Sequence, residues 1–292
     1  MRRGYEFGEK LGRGSFGVVC KVRRKCDGRW LVCKQIQLTG MSKKAREEAN
    51  KEVMLLRSVS SGSQYVVQYE ESFLEGEVLH IVMELCQNGD LSGYIKGQNG
   101  QDLPESSVWK FLIQIGMGLS WLHSQRVLHR DIKTLNVFLT SSNDVRLGDL
   151  GVARVMSSDT NFANTFVGTP YYLSPELCEE KQYNEKSDVW AYGCVVYELC
   201  VQKHPFNAGN QAALLIKILR GLYAPVPPHY SSDLRDIIDV CMRKDFEQRP
   251  TVAELLSRPA AAAWASRLGI SAEPPEPAAA VASENLAPGG RR

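Results

Sequence analysis

The sequence predicts an α+β fold of two lobes, a strand-rich small lobe over about 5–85 and a mainly helical large lobe over about 86–259. Alternation of apolar and polar residues, which is typical of half-buried strands, dominates the first part and is interrupted by one helical segment. After Cys86 the apolar residues recur at helical spacing instead. The chain of 292 residues is long enough for two such lobes with a sizeable core. Because ligands commonly bind between lobes, we expect the functional site where the two parts meet.

The small lobe is predicted from short alternating segments. Strands are expected at residues 5–11, 18–23, 30–38, 66–67 and 78–84. The pair Asp27-Gly28, typical of a hairpin turn, comes just before the third of them. Residues 42–58 are expected to form the one helix of this lobe, because the apolar residues from Ala45 to Leu56 recur on one face. Ser42 is suited to cap the start of this helix.

The large lobe is predicted to contain helices over 105–124, 187–202, 210–220 and 232–243. A terminal helix is expected over 260–270. From 271 to 292 the composition shifts to Pro, Ala, Gly and Glu. Such a segment cannot bury enough apolar surface to offset the entropy lost on ordering, so we expect 271–292 to be a disordered tail.

Composition and charge exclude several classes of function. The net charge of +2 gives no bulk attraction to nucleic acid. The sequence has no run of 18 apolar residues and no apolar signal region at its start, so no membrane insertion is expected. Eight cysteines without Cys-x-x-Cys or zinc-like spacing predict reduced thiols in an intracellular protein. The absence of a heptad pattern favours a monomer.

Residues 12–19, Gly-Arg-Gly-Ser-Phe-Gly-Val-Val, match the pattern Gly-x-Gly-x-x-Gly-x-Val. Glycines allow backbone amides to approach phosphate groups, since no side chains intervene. Glycine-rich hairpins are common, so this segment alone identifies little. A dinucleotide-binding fold would continue from the glycines into a helix. Here a strand is predicted to follow, which favours a phosphate-covering loop between two strands.

Lys34 lies within the apolar strand segment 31–36, and it follows Gly17 by 17 residues. A lysine in a strand most often faces solvent, but this spacing favours binding of phosphate. Glu52, on the predicted helix, is the expected partner of Lys34. Glu47 and Glu48 are competitors for that role, although both are expected on the solvated face of the helix.

Residues 129–136 read His-Arg-Asp-Ile-Lys-Thr-Leu-Asn, and Asp149-Leu150-Gly151 follows them. Asp131 and Asp149 supply two carboxylates at this spacing. Lys133 adds an ammonium group and Asn136 adds an amide. A solvated polar loop would not require these residue types in this order, so a catalytic role is favoured over chance.

Together these motifs resemble those of eukaryotic protein kinases over residues 5–259. Residues 165–176, Thr-Phe-Val-Gly-Thr-Pro-Tyr-Tyr-Leu-Ser-Pro-Glu, with 149–151 and Met83-Glu84-Leu85-Cys86, are similar to the NIMA-related (Nek) serine/threonine kinases. The resemblance implies a bilobal kinase fold and transfer of the γ-phosphate of ATP to Ser or Thr hydroxyls of protein substrates, with Mg²⁺, or Mn²⁺ in its place. It also implies a role in cilia or mitosis, microtubule, centrosome or ciliary proteins as partners, and a location in the cytoplasm, cilium, basal body, centrosome or nucleus.

By this resemblance, Asp131 orients the substrate hydroxyl and Lys133 meets the γ-phosphate. Asn136 and Asp149 hold the metal ion. Lys34, paired with Glu52, positions the phosphates, and these two residues complete the predicted catalytic set.

The resemblance also implies which residues contact ATP. They are Leu11, Gly12, Arg13, Gly14, Ser15, Phe16, Gly17, Val18, Val19, Val32, Lys34, Met83, Glu84, Cys86 and Phe138. Cys86 is expected to offer its backbone to the adenine. Since strand side chains alternate between faces and Val19 is expected to pack on adenine, Cys20 is expected to point away from ATP.

Two further motifs imply structural roles by the same resemblance. Glu176, in Ser174-Pro175-Glu176, is expected to form an ion pair with Arg249. Asp188-Val189-Trp190 and Gly193 resemble the core helix that anchors the catalytic loop.

Regulation is expected at two positions. Phosphorylation of Thr165 is the expected activation step, because Arg130 and Arg154 could pair with the phosphate. The alternative acceptors in this segment are Ser157, Ser158 and Thr160. Tyr69 matches a tyrosine that, in some Nek kinases, points into the active site and blocks inward movement of the helix carrying Glu52. An ordinary aromatic core residue is the equally supported alternative for Tyr69.

Two other functions are open at this point, a catalytically weak scaffold and a small-molecule kinase of the same fold. The presence of Lys34, Asp131 and Asp149 together disfavours the scaffold. The peptide-binding segments 168–170 and 174–176 disfavour the small-molecule kinase.

Leu135 bears on the choice of protein substrate. It stands just before Asn136, where arginine-directed kinases commonly carry an acid, so it predicts an apolar preference at the −3 position of the substrate. Asp90 is open to two roles, binding the ribose hydroxyls or a basic substrate residue. Val152 is β-branched, which in kinases favours a threonine acceptor.

Overall fold

The computed structural model describes residues 4–14, 17–149 and 170–271. Ser15 and Phe16, the whole of 150–169 with Arg154 and Thr165, and the tail from 272 onward lie outside these ranges. The side chains of Arg13, Glu48 and Glu52 also lie outside the described part of the chain. Predictions that concern these residues therefore stay predictions.

The small lobe is a five-stranded antiparallel sheet with one helix. Its elements are β1 (Tyr5–Gly14), β2 (Gly17–Arg24), β3 (Trp30–Gln37), α1 (Lys43–Ser60), β4 (Tyr69–Glu75) and β5 (Val78–Glu84). The strands lie in the order β1-β2-β3-β5-β4. Ser42 caps α1, since its hydroxyl accepts a hydrogen bond from the Ala45 amide at 3.2 Å.

The two faces of this sheet are covered differently. Ile36 and Ile81 pack with Ala49 and Val53 of α1 on one face. Lys34 shares this face, because it lies two residues before Ile36 on β3. The other face carries a separate apolar cluster: Tyr5, Val22, Leu31, Cys33 and Val82.

The large lobe is mainly helical. Its helices are α2 (Leu91–Gly97), α3 (Glu105–Ser124), α4 (Pro175–Cys178), α5 (Glu185–Val201), α6 (Gln211–Arg220), α7 (Ser232–Cys241), α8 (Val252–Leu256) and α9 (Pro259–Arg267). A short hairpin of β6 (Val137–Leu139) and β7 (Val145–Leu147) faces the small lobe. Within the described ranges, no helix combines the length and apolar character that crossing a bilayer requires.

Helix α5 lies at the centre of the large lobe and is buried along nearly its whole length. It packs against α3 and α7, so it needs no polar face. The helix begins at Glu185, two residues earlier than the sequence predicts, because Asn184 and Ser187 form a reciprocal capping box. Its first turn is thereby fixed beside residues 129–136, the predicted catalytic segment.

The lobes are joined through the segment between α1 and β4. The Leu147 amide donates to the Tyr65 carbonyl at 2.7 Å, and the Val67 amide donates to the Leu147 carbonyl at 2.8 Å. The indole of Trp121 on α3 donates to the Val59 carbonyl at the end of α1, also at 2.8 Å. This end of α1 is therefore attached to the large lobe.

Some predicted elements are wrong or were missed. Val66-Val67 is not a strand; Val66 forms only an isolated bridge with Leu147, and the strand is Tyr69–Glu75. That strand contains Glu70, Glu71 and Ser72 and lies at the sheet edge, so its polar residues concealed it. Helix α2 and the β6–β7 hairpin are too short to show a period.

The expected ion pair between Glu176 and Arg249 is present and buried. The Arg249 guanidinium donates to both carboxylate oxygens, each at 2.8 Å. Burial by itself would raise the pKa of Glu176, but the hydrogen bonds and charge of Arg249 outweigh it and hold that pKa below its ordinary value. The pair connects α4 to the segment before α8.

Replacing Arg249 with Met should lower the free energy of unfolding by about 3–5 kcal/mol, because Glu176 would stay buried without its partner. Arg46→Met is the control, since the Arg46–Glu77 pair is exposed and should change stability by less than about 1 kcal/mol. Urea unfolding at constant pH measures both. Adding Glu176→Gln to Arg249→Met should restore part of the loss, and no recovery would contradict the buried-charge explanation.

The same pair predicts a pH dependence of stability. Since the pKa of Glu176 is lowered in the folded protein, its contribution is complete above the pH at which a free glutamate titrates. The contribution should disappear as the pH falls through the lowered value. The free energies of unfolding of the wild type and Arg249→Met, measured by urea unfolding over a pH series, should therefore converge in acid.

Candidate active site

The buried carboxylate of Asp188, in the first turn of α5, anchors the catalytic segment. Its two oxygens accept hydrogen bonds from the backbone amides of His129 and Arg130, both at 3.0 Å. His123 Nε2 lies 2.9 Å from the same carboxylate, and the Tyr183 hydroxyl donates to it. Burial alone would raise the pKa of Asp188, but these hydrogen bonds and the neighbouring histidines hold it below its ordinary value.

Arg130 adopts a left-handed backbone conformation, with φ of 65°. This conformation is costly for a large side chain and persists only where the surroundings impose it. The hydrogen bonds that Asp188 accepts from two successive amides supply that constraint. His129 is fully buried beside them, and burial lowers its pKa.

Asp131 follows this turn with a side chain that is 33% exposed. Lys133 Nζ donates to Asp131 Oδ2 at 2.7 Å, and Asn136 Nδ2 donates to the same oxygen at 2.9 Å. The Asn136 amide also donates to the Asp131 carbonyl at 2.8 Å. The carboxylate is thus held in one orientation while its other oxygen stays available.

Asp149 completes the arrangement from the other side of the β6–β7 hairpin. The Gly148 amide donates to the Asn136 carbonyl at 3.0 Å, which keeps the two metal-binding candidates adjacent. A side chain at Gly148 would lie 2.7 Å from the Phe138 ring, so only glycine allows this approach. Asp149 has a φ of 54° and a half-exposed carboxylate.

Lys34 pairs with Asp149 in this structure, with Nζ and Oδ1 2.5 Å apart. The sequence predicts Glu52 as the partner of Lys34, and the side chain of Glu52 lies outside the described residues. The observed pair joins two lobes and two residues far apart in sequence, which local spacing cannot reveal. Burial alone would raise the pKa of Asp149, but the charge of Lys34 keeps it below its ordinary value.

The predicted nucleotide-contacting residues lie on the sheet of the small lobe and on the β6–β7 hairpin of the large lobe. Val19 is opposed to Lys34, and Val32 is opposed to Met83, so these four side chains share the face that carries α1. Leu11 is exposed near the end of β1. Phe138 lies on β6 of the large lobe, where it forms a bridge with Asp90, the residue that caps α2.

Three of the residues predicted to contact ATP do not offer a side chain suited to that contact. Val18 is opposed to Gln35 and points to the other face, so only its backbone is available to a nucleotide. The Glu84 carboxylate accepts hydrogen bonds from Arg146 Nε at 2.9 Å and from the Gln68 backbone amide at 2.8 Å. Only the backbone of Glu84 is therefore available to a nucleotide. Burial raises the pKa of the Cys86 thiol to about 12, so this residue is not a reactive thiolate.

Tyr69 packs against the cluster that includes Ile36 and Val53, and its hydroxyl donates to Ser72 at 2.8 Å. The side chain is therefore held within the small lobe, as an aromatic core residue would be. The alternative, in which this tyrosine blocks the active site, stays a prediction.

A second polar cluster lies beneath the catalytic loop and was missed in the sequence. Glu198 is buried on α5, and it accepts hydrogen bonds from Tyr172 and, at 3.3 Å, from Thr134. His204 Nδ1 lies 3.3 Å from the same carboxylate. A charged residue in the apolar run of α5 is the one signal that could have indicated it.

Comparison with known proteins agrees with this geometry. Residues 5–260 match the protein kinase domain. Over 250 residues the chain is 46% identical to mouse serine/threonine-protein kinase Nek1. This match covers 86% of the present chain and 21% of Nek1. It is 44% identical over 250 residues to mouse serine/threonine-protein kinase Nek4, covering 85% of this chain and 31% of that protein. The G2-specific protein kinase nim-1 of Neurospora crassa is 39% identical over 283 residues, and this match covers 87% of the present chain and 33% of nim-1.

The chain thus spans between about a fifth and a third of the length of these relatives. Their names confirm the resemblance to NIMA-related kinases that the motifs indicate. The match covers both lobes and the cleft between them. This chain belongs to the protein kinase domain family.

Proposed function

We propose that the protein transfers the γ-phosphoryl group of ATP to Ser or Thr hydroxyls of proteins. The observation that carries the proposal is the cluster of Asp131, Lys133 and Asn136 in the large lobe, next to the Lys34–Asp149 pair that joins the two lobes. The relatives Nek1 and Nek4 are both named serine/threonine-protein kinases, which supports the choice of acceptor. The proposed catalytic domain is 5–259, with lobes meeting near 85 and 86.

Within this proposal, Asp131 accepts the proton of the substrate hydroxyl through the oxygen that Lys133 and Asn136 leave available. Its neighbours orient the carboxylate before the substrate arrives, so little reorganisation accompanies the reaction. Lys133, already beside Asp131, would meet the transferred phosphoryl group. Lys34 would bind the remaining phosphates in exchange for its contact with Asp149.

The residues present fit a divalent metal. The Asp149 carboxylate is half exposed. The side-chain nitrogen of Asn136 donates to Asp131, so its side-chain oxygen is left to bind a metal ion. Carboxylate and amide oxygens are the ligands that Mg²⁺ prefers, and Mn²⁺ accepts the same set. Bound Mg²⁺ would neutralise charge on the phosphates of ATP.

The cellular role proposed from the family is regulation of the cell cycle or of cilia. The words G2-specific in the name of nim-1 favour the first, and nothing in the site distinguishes the two. Microtubule, centrosome or ciliary proteins are the proposed partners, and the cytoplasm and centrosome the proposed location. Imaging of the tagged full-length protein through the cell cycle would test this.

Lys34→Met and Asp131→Ala should each lower peptide phosphorylation by about 10³-fold or more. The first removes the group proposed to bind phosphates, and the second removes the proton acceptor. Lys43→Met is the matched control, because Lys43 is almost fully exposed at the start of α1. Turnover is measured with ATP and Mg²⁺ on a peptide array, with folding checked by circular dichroism. Near-wild-type turnover of a folded Asp131→Ala would contradict the mechanism.

Leu135→Glu should change the substrate preference from an apolar residue to arginine three positions before the acceptor. Leu135 is 53% exposed beside Asn136, so its side chain is free to contact a peptide. The control is Leu222→Glu, another exposed leucine outside the catalytic segment. A positional peptide library measures both variants. Unchanged selection at this position in Leu135→Glu would reject the assignment.

Thr165→Ala should lower activity and prevent activation by autophosphorylation, since the proposed phosphate would pair with Arg130 and Arg154. Mass spectrometry before and after incubation with ATP identifies the modified residue. Ser157→Ala serves as the comparison within the same segment. Full activity of Thr165→Ala would exclude the switch.

A further inference from the structure

Two cysteines face each other across neighbouring strands of the small lobe. Cys20 on β2 is directly opposed to Cys33 on β3. Opposed residues of an antiparallel pair project to the same face, with Cβ atoms about 4.5–5.5 Å apart. A disulfide requires Cβ atoms about 3.5–4.5 Å apart and Cα atoms about 4.4–6.8 Å apart. A small approach of the two strands would satisfy both requirements.

Access distinguishes the two thiols. Cys20 is half-buried, and β1 is irregular beside it, with register shifts on both sides of the Lys10–Cys20 pair. Cys33 is 1% exposed, within the cluster on that face of the sheet. An oxidant from solvent therefore reaches Cys20 first and leaves Cys33 to attack the oxidised sulfur.

A histidine is placed to take the proton of Cys33. Its Sγ lies 3.6 Å from Nδ1 of His80, and the Gln35 side-chain nitrogen lies 3.5 Å from the same ring atom. Both neighbours are donors, so Nδ1 is the acceptor and the ring proton belongs on Nε2, which faces the Glu75 carboxylate at 3.8 Å. Burial raises the pKa of the Cys33 thiol to about 12, which makes a local acceptor necessary.

We propose that Cys20 and Cys33 form a peroxide-sensitive pair that closes reversibly into a disulfide. Hydrogen peroxide oxidises the Cys20 thiol to a sulfenic acid and is reduced to water. Cys33 Sγ then attacks Cys20 Sγ; the S–S bond forms, the S–OH bond breaks, and the Cys33 proton passes through His80 to the departing hydroxide. In total, two thiols and one peroxide give one disulfide and two waters. A dithiol reductant reverses the reaction by exchange.

The disulfide would act on the cleft through neighbouring residues. Val19 and Lys34 are the next opposed pair along the same two strands. Drawing the strands together at Cys20 would shift β2, and with it the glycine-rich turn, relative to Lys34. This consequence rests on the proposed kinase function, whereas formation of the disulfide does not.

The pairing is tested on the purified wild-type chain. The protein is titrated with hydrogen peroxide, alkylated to block remaining thiols, digested and mapped by mass spectrometry. The expected product is a linked peptide pair containing Cys20 and Cys33 that dithiothreitol separates. Cys26 is the internal control, because it is an exposed thiol in the turn between β2 and β3. Linkage of Cys20 to Cys26, or Cys20 oxidised to sulfinic acid without any linked peptide, would overturn the proposal.

Two variants distinguish the oxidation of Cys20 from the formation of the disulfide. Cys33→Ala should leave a sulfenic acid on Cys20 that a dimedone probe labels, whereas Cys26→Ser should still give the Cys20–Cys33 link. Absence of dimedone labelling in folded Cys33→Ala would exclude Cys20 as the residue first oxidised.

Activity is measured separately. Peroxide should lower turnover of the wild type several-fold, dithiothreitol should restore it, and Cys20→Ser should resist peroxide. If the linked peptide forms but no phosphorylation occurs in either redox state, the proposed function fails and the redox pair stands. If phosphorylation occurs and no linked peptide forms, the redox pair fails alone.

Discussion

The conformation of the predicted catalytic segment, residues 129–136, depends on one buried carboxylate. Asp188 holds the amides of His129 and Arg130 at the point where the backbone takes a left-handed turn. The carboxylate is satisfied by these two amides, by the Tyr183 hydroxyl and by the His123 ring. Because α5 is buried along nearly its whole length, the carboxylate cannot move without disturbing the core of the large lobe.

The small lobe is held at one end and less constrained at the other. Backbone bonds from Leu147 and the Trp121 indole attach the end of α1 to the large lobe. The β1–β2 hairpin has no equivalent attachment among the residues described, and its two strands are the outer pair at one edge of the sheet. The Lys34–Asp149 pair crosses the cleft between these regions. Movement of the lobes therefore changes the distance that this pair spans.

Two buried carboxylates bear on both the stability of the large lobe and the position of the predicted catalytic loop. Glu176 with Arg249, and Glu198 with Thr134 and Tyr172, each satisfy a carboxylate inside the large lobe. Such groups cost free energy when a partner is lost, so they favour one arrangement of the loops over others. The Glu198 cluster contacts the catalytic loop directly through Thr134, which couples the loop to the core.

Local patterns in the sequence determined the lobe order, most of the long elements and the candidate residues from Asp131 to Asp149, because periodicity and motif spacing are properties of nearby residues. The polar edge strand β4 and the short elements escaped, since their apolar pattern is too weak or too brief. Only the tertiary structure decided that Lys34 contacts Asp149, that Arg146 occupies the Glu84 side chain and that Cys20 opposes Cys33. The first two contacts join residues distant in the chain, and the third depends on the register of two neighbouring strands. Sheet register and lobe packing fix all three, and no local pattern encodes them.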